Sequence, residues 1–222
     1  MITPNEIKIP LREVTLAGEL NLPPDAKGLV LFAHGSGSSR LSPRNQSVAR
    51  TLREGKVGTL LFDLLTAEEE QSEVYTRHLR FNIPFLTERL VAATHWALDH
   101  TTGRDLALGY FGSSTGAAAA LRAVVELGEV ISAVVSRGGR PDLAGDALER
   151  VTAATLLIVG GSDTAVLSLN EDAYARLSCE KSLRIVPGAT HLFEENGALE
   201  KVAHMAAEWF AAHLHPLAQK TS

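Results

Sequence analysis

Apolar residues along this chain fall into two kinds of run that alternate. The first kind is short and continuous: Gly28–Ala33, Val57–Phe62, Asp105–Phe111, Val130–Ser136, Ala154–Val159 and Ser182–Val186. Such runs carry no polar face, so they predict strands covered on both sides. Between them the sequence predicts helices over Pro43–Glu54, Asn82–His100, Ala117–Val125, Asn170–Leu177 and Leu199–Leu214. Gly55 stops the first helix, and Pro84 fits the first turn of the second. At the N-terminal end, Glu6–Ile9 reads as a short strand. Arg12–Leu22 reads as a strand, or a hairpin turning near Ala17-Gly18, and Pro23-Pro24-Asp25 ends it. Thr66–Tyr75 is acidic and reads as a solvated loop with a short helix; Arg137–Arg150 reads as another such loop. Strand–helix alternation predicts an α/β fold with a mostly parallel sheet and helices on both faces. No repeat, low-complexity tract or linker divides the sequence, so residues 1–222 are expected to form a single domain.

Composition narrows the function. The 222 residues are 45% hydrophobic and 21% charged, enough apolar content for one sizeable core. A net charge of -5 with mixed signs argues against nucleic acid or an anionic membrane as partner. The single Cys179 excludes an intrachain disulfide and fits a reducing compartment. Met1–Lys8 lacks the apolar run of a signal peptide, and no apolar stretch approaches the ~20 residues of a membrane span. A cytoplasmic location is therefore expected.

The candidate chemistry lies where predicted strands end. Gly112-Ser113-Ser114-Thr115-Gly116 joins a strand to a helix and has the form G-x-S-x-G, a nucleophile elbow. Its two glycines suit a turn too tight for side chains, and the turn lifts Ser114 Oγ above the sheet at the positive end of the helix. Later strands end in Gly160-Gly161-Ser162-Asp163 and in Pro187-Gly188-Ala189-Thr190-His191. Ser114, Asp163 and His191 supply a nucleophile, an orienting acid and a base. The backbone N–H of Thr115 and that of Gly35 or Ser36, in the loop His34–Arg40, are the candidate oxyanion donors. Competing readings exist. Ser114 and Asp163 could cap helices, His191 could be a surface histidine, and Asp142 is the rival acid.

These residues resemble the α/β-hydrolase superfamily, and the Gly-Gly-Ser-Asp and Gly-Ala-Thr-His loops look like its dienelactone-hydrolase-like branch. The resemblance runs from about Val14 to Leu214. It implies a three-layer αβα sandwich whose sheet has about eight strands, the first of them antiparallel. One departure stands out: dienelactone hydrolases proper use cysteine as nucleophile, whereas this chain has Ser114. Only Arg137–Ala153 separates two neighbouring strands where many relatives insert a helical lid, so little or no lid is expected. The implied function is a serine esterase acting on a small carboxylic ester, lactone or thioester through an acyl-enzyme, with no cofactor or metal. The same triad also serves peptidases and acyltransferases. Arg40 and Arg44 follow the oxyanion loop, and Arg137 and Arg140 follow a strand that ends near the site. Arginine binds carboxylate by a two-pronged hydrogen bond, so Arg40, Arg44 and Arg137 are the three candidates for recognising an acidic small-molecule ester substrate; the alternative reading is solvated loop or structural ion-pair residues.

Two further classes deserve comparison. Gly35–Arg40 partly imitates a dinucleotide loop, with Asp63 placed like a ribose ligand, but Arg40 stands where the third glycine belongs. A hydrolase fold kept as a ligand-binding or regulatory module is the other. His204, His213 and His215 lack the spacing of a metal site, and His95 with Asp99 reads as a surface pair. Trp96, Trp209 and Phe210 fall at helical spacing and are expected in the core.

Overall fold

The computed structural model describes residues 5–215. Four residues of the N-terminal stretch read for a leader, and the ends of the expected 1–222 domain, lie outside them. The strands are β1 (Glu6–Pro10), β2 (Thr15–Asn21), β3 (Gly28–Ala33), β4 (Gly58–Phe62), β5 (Ala107–Ser113), β6 (Ile131–Arg137), β7 (Ala154–Gly160) and β8 (Lys181–Val186). The helices are α1 (Pro43–Glu54), α2 (Ala67–Thr76), α3 (Ile83–His100), α4 (Thr115–Leu127), α5 (Thr164–Arg176) and α6 (Ala198–His213). All strands join one sheet in the order β1-β2-β4-β3-β5-β6-β7-β8. β1 and β2 run antiparallel to their neighbours, and the other pairs are parallel. This is the mostly parallel α/β sheet that the alternation predicted, in the three-layer sandwich that the resemblance implied.

Two apolar cores account for the layers. α3 and α4 cover one face, burying Leu90, Ala97 and Leu121 against Leu31, Tyr110 and Val134. α1 and α6 cover the other, where Val48, Leu52 and Phe210 meet Phe32, Phe111 and Val135. Alternate residues of each central strand feed opposite cores, which is why those strands read as unbroken apolar runs. Trp96 and Phe210 are buried, and Trp209 packs partly buried beside Phe210 while its indole N–H donates to Ala154 O at 3.2 Å.

Several elements differ from expectation for local reasons. Arg12–Leu22 makes no hairpin at Ala17-Gly18. β2 passes straight through, and Gly18 lies where a Cβ would come within 3.1 Å of Ile7 Cγ1. The chain instead turns between β1 and β2, where Leu11 N–H donates to Val14 O. α5 starts at Thr164, six residues before the predicted helix, because Asp163 takes the N-cap position. The Thr66–Tyr75 stretch is mostly α2, opened by a reciprocal capping box between Thr66 and Glu69. Between β6 and β7, a kinked 3₁₀ segment, Pro141–Arg150, buries Ala144, Ala147 and Leu148 and belongs to the fold rather than to a lid.

The segment after α2 is fixed by one carboxylate. Glu73 accepts hydrogen bonds from the backbone N–H groups of His78, Leu79 and Arg80 and from Thr76 Oγ1, and it pairs with the Arg80 guanidinium. Burial favours its neutral form, but those donors outweigh burial and hold its pKa at about 2, below the ordinary 4.5. A depressed carboxylate pKa stabilises the fold above the ordinary value, and the contribution is lost as pH falls towards about 2. Protease cleavage between Thr76 and Phe81 is therefore expected to stay slow from pH 7 to the high fours and to speed up below. In Glu73→Gln this segment should be cut readily at pH 7. A second expectation concerns the seam between α4 and β3. A Cβ on Gly116 would sit 2.1 Å from Ala33 O, so Gly116→Ala must displace backbone and should cost about 1–3 kcal/mol in a urea melt.

Candidate active site

β3 and β5 are neighbours, yet α1 leaves β3 towards one face and α4 leaves β5 towards the other. Open α/β sheets bind ligands in the crevice at such a switch point, at the carboxyl edge of the sheet. Ser114 and the loop His34–Arg40 come together there.

Ser114 has φ 50° and ψ −123°, a left-handed conformation rare for a residue with a side chain. Packing enforces it: a Cβ on Gly112 would meet Ala117 Cα at 2.5 Å, so α4 turns back directly over its own strand. Ser114 caps nothing with its hydroxyl, and its carbonyl accepts from the N–H groups of Ala117 (3.1 Å) and Arg140 (3.0 Å). Gly35 crosses close by; a Cβ there would lie 2.8 Å from Ser114 Cβ. Ser36 Oγ lies 3.4 Å from Thr115 Oγ1 and donates to Arg80 O at 3.0 Å. Thr115 opens α4, where a backbone N–H has no acceptor within the helix. Gly35, Ser36 and Thr115 thus gather around Ser114.

Asp163 occupies the N-cap of α5 without capping it. Its Oδ2 accepts instead from His191 Nδ1 at 2.7 Å. Close contact between their loops makes this reach possible. A Cβ on Gly160 would fall 2.3 Å from Ala189 O, and Ser162 N–H donates to that same carbonyl at 2.9 Å. Glu195 staples the histidine loop by accepting from Thr190 N–H (3.0 Å) and Thr190 Oγ1 (2.6 Å). The segment Gly138–Arg140 links serine and histidine. A Cβ on Gly138 would lie 3.6 Å from His191 Nδ1, while Arg140 N–H binds Ser114 O. Among the described residues no hydrogen bond joins Ser114 Oγ to the imidazole. The rival acid is committed elsewhere: Arg140 Nε and Nη2 donate to Asp142 at 2.9 and 2.8 Å.

The three arginines meet different fates. Arg40 binds Asp63 through its guanidinium and its backbone N–H, which also occupies the acid that a dinucleotide reading would need. Arg44 Nη1 donates to Glu194 at 3.1 Å. Arg137 ends β6 rather than lying in an exposed loop, and it is 7% exposed. Burial, then the positive charge of Arg44, lower its pKa to about 10.

His34 was not singled out from sequence. It is buried, and its Nε2 accepts from Leu64 N–H at 2.9 Å. That acceptor role leaves the proton on Nδ1, which donates to Gly35 O at 3.0 Å. Burial lowers its pKa, against the opposing pull of the Gly35 carbonyl and the charge of Asp63, so the ring stays neutral and fixes the loop beside Ser114. Only its position at the end of an apolar run hinted at this. A cleft of about 710 Å³ opens beyond that loop, lined by His34, Gly37, Arg40, Asp63 and Glu68 among others, and is not lined by Ser114, Asp163 or His191. Among the described residues no group of three or more His, Cys, Asp or Glu could hold a metal ion, and no helix is long and apolar enough to cross a membrane.

Comparison with known proteins bears on the family. No family model matches the chain. The crystal structure of a dienelactone hydrolase from Anabaena variabilis shares 55% identity and a TM-score of 0.91, over 95% of this chain and 97% of that one. Est1E from Butyrivibrio proteoclasticus superposes with a TM-score of 0.78 at 16% identity, over 94% of this chain and 98% of its own, a likeness of fold. A Mycobacterium tuberculosis (strain H37Rv) protein, named provisionally as a phosphoribosyl transferase, is 51% identical over 209 residues, 94% of this chain. That match takes up 46% of the relative, so the chain spans about half the length of the curated relatives it matches. With a neighbour alike in sequence and in fold along almost its whole length, the chain belongs to the α/β hydrolases, in their dienelactone-hydrolase-like branch.

Proposed function

We propose that this chain is a serine hydrolase that cleaves a small carboxylic ester, lactone or thioester through an acyl-enzyme. The observation that carries the reading is Asp163, which sits at a helix cap yet gives its carboxylate to His191 at 2.7 Å. A purely structural aspartate at that place would bond the free N–H groups of α5.

The chemistry follows from the tautomer. With the Nδ1 proton donated to Asp163, Nε2 of His191 is the free base. It takes the proton of Ser114 Oγ as that oxygen attacks the substrate carbonyl. The negative charge that develops is held by backbone N–H groups of Thr115 and of Gly35 or Ser36. Their rigidity, enforced by α4 packing and by His34, makes them effective, because fixed dipoles need not reorganise during the reaction. The imidazolium, stabilised by Asp163, returns the proton to the leaving oxygen or sulfur. A water molecule activated by the same ring then releases the acid and restores the serine. The Ser114–His191 contact closes when substrate arrives, as is common in hydrolases.

Size preference follows from the walls. The 3₁₀ segment after β6 packs against α4 and α5. Phe81, adjoining the Arg80 carbonyl that holds Ser36, and Leu192, adjoining His191, are 56% and 39% exposed. They offer a modest apolar rim suited to a small acyl or alcohol group.

A fluorophosphonate probe should label the folded protein at Ser114, and a folded protein that resists it would leave a binding module as the better description. Ser114→Ala should lower ester turnover roughly 10⁴–10⁶-fold with an unchanged melting temperature. Asp163→Asn should cost less than the serine change, because the base remains in place though misoriented.

A further inference from the structure

The last strand of the sheet is open along its outer side. β8 lies at the end of the strand order, with β7 as its neighbour. Thr155 N–H donates to Glu180 O and Gly161 N–H to Val186 O, both at 2.8 Å, so the even-numbered residues here turn their peptide groups towards β7. Lys181, Leu183 and Ile185 therefore turn theirs outward, and among the described residues no strand or loop backbone takes them up. Such an edge is a template for another strand, and proteins commonly guard it with proline, a bulge or lysine. The opposite edge, β1, ends in Pro10. β8 is unguarded. It has no proline and pairs with β7 without a bulge, and Lys181 bends its amine inward to the carbonyls of Tyr174 (2.7 Å) and Leu177 (2.6 Å).

The side chains along this edge are arranged by charge. Glu180 Oε1 lies 3.0 Å from His213 Nε2 on α6, and Arg184 borders a groove of about 470 Å³ with Met205, Glu208 and Trp209 of the same helix. Both therefore project on the α6 side of the sheet, as residues an even number apart on a strand must. Both reach solvent: the Glu180 side chain is 70% exposed, and Arg184 is exposed. On the other side Cys179 and Leu183 pack against the core, while Ile185 is left 46% exposed.

We propose that β8 pairs antiparallel with β8 of a second copy of this chain, about a two-fold axis at Ser182, so that two eight-stranded sheets become one. Charge selects both the partner and the register. Outward peptide groups must meet outward peptide groups, so the axis passes through a residue and not between two. With the axis at Ser182, Glu180 stands opposite the partner's Arg184 and, by symmetry, Arg184 stands opposite the partner's Glu180. These are pairs without mutual main-chain bonds, where facing side chains come closest. Lys181 and Leu183 exchange main-chain bonds with the partner's Leu183 and the partner's Lys181, and Ile185 is set beside the partner's Cys179. An axis at Leu183 puts Arg184 opposite the partner's Ser182, and an axis at Arg184 sets two guanidinium groups face to face. A strand whose ends carry opposite charges on one face is complementary to its own reverse. This pairing is independent of the hydrolase reading.

The test joins mass measurement with cross-linking. In sedimentation velocity at micromolar concentrations wild type should run as a dimer. Arg184→Glu turns two attractions into two repulsions and should raise the dimer dissociation constant at least about tenfold. Adding Glu180→Arg to it exchanges the charges and should restore the dimer. Facing residues without mutual main-chain bonds have Cα atoms about 4.5 Å apart, within the span of a disulfide. Mild oxidation of Ser182→Cys should therefore link the two copies covalently. The two copies of residue 184 lie roughly 14 Å apart, so Arg184→Cys should not link them, and neither should wild type through Cys179. A chain that stays monomeric overturns the proposal. So does a dimer that ignores the charge reversal, or one that Ser182→Cys leaves unlinked, since its interface or register lies elsewhere. Should Ser182→Cys fail to fold, the charge series decides alone.

Discussion

The contact between the first turn of α4 and the end of β3 governs this molecule. Gly116 lies so near the carbonyl of Ala33 that only a hydrogen fits between them. That closeness sets α4 down onto the sheet immediately after β5, and Ala117–Ala120, all fully buried, keep it there. Ser114 then has no relaxed backbone conformation available. The same contact brings the loop after β3 against the serine, so one steric constraint places Ser114 and the backbone of Gly35 together. The strain at Ser114 is of the order of 1–3 kcal/mol and is offset by the surrounding apolar burial.

Polar order at the rim is built by committing each acid to partners within the fold. Asp63 holds Arg40, Asp142 holds Arg140, Glu195 holds Thr190, and Glu73 gathers the amides after α2. Asp163 stands apart: its nearest backbone donors would be those of α5, yet it faces the imidazole across two glycine-containing loops. Neutral His34, accepting from one backbone group and donating to another, locks the opposite wall by the same economy of partners.

Much of this was legible in the chain. β3 and α1 have the residue bounds that periodicity predicts, because an unbroken apolar run and a proline-to-glycine span leave little freedom. The serine, acid and histidine were readable because each follows a strand and carries glycine nearby. What escaped depended on distant partners. The straight passage of β2 through Gly18 is decided by β1 and β4, which flank it. The burial of Arg137 could not be foreseen, since a charged residue after an apolar run ordinarily marks the way out to solvent. His34 gave little signal beyond its place at the end of an apolar run, because its role consists wholly of bonds to backbone.

The way Glu73 secures its segment has an implication for how such a crevice diversifies. A single carboxylate satisfies three consecutive main-chain amides, so the fold there asks for one acid and little else of the neighbouring side chains. Phe81 projects from a stretch whose path is set by main-chain bonding rather than by its own packing. Exposed residues there can therefore change while the main chain keeps its path and the Arg80 carbonyl keeps its hold on Ser36. Side-chain variation and backbone order are, in this segment, independent of one another.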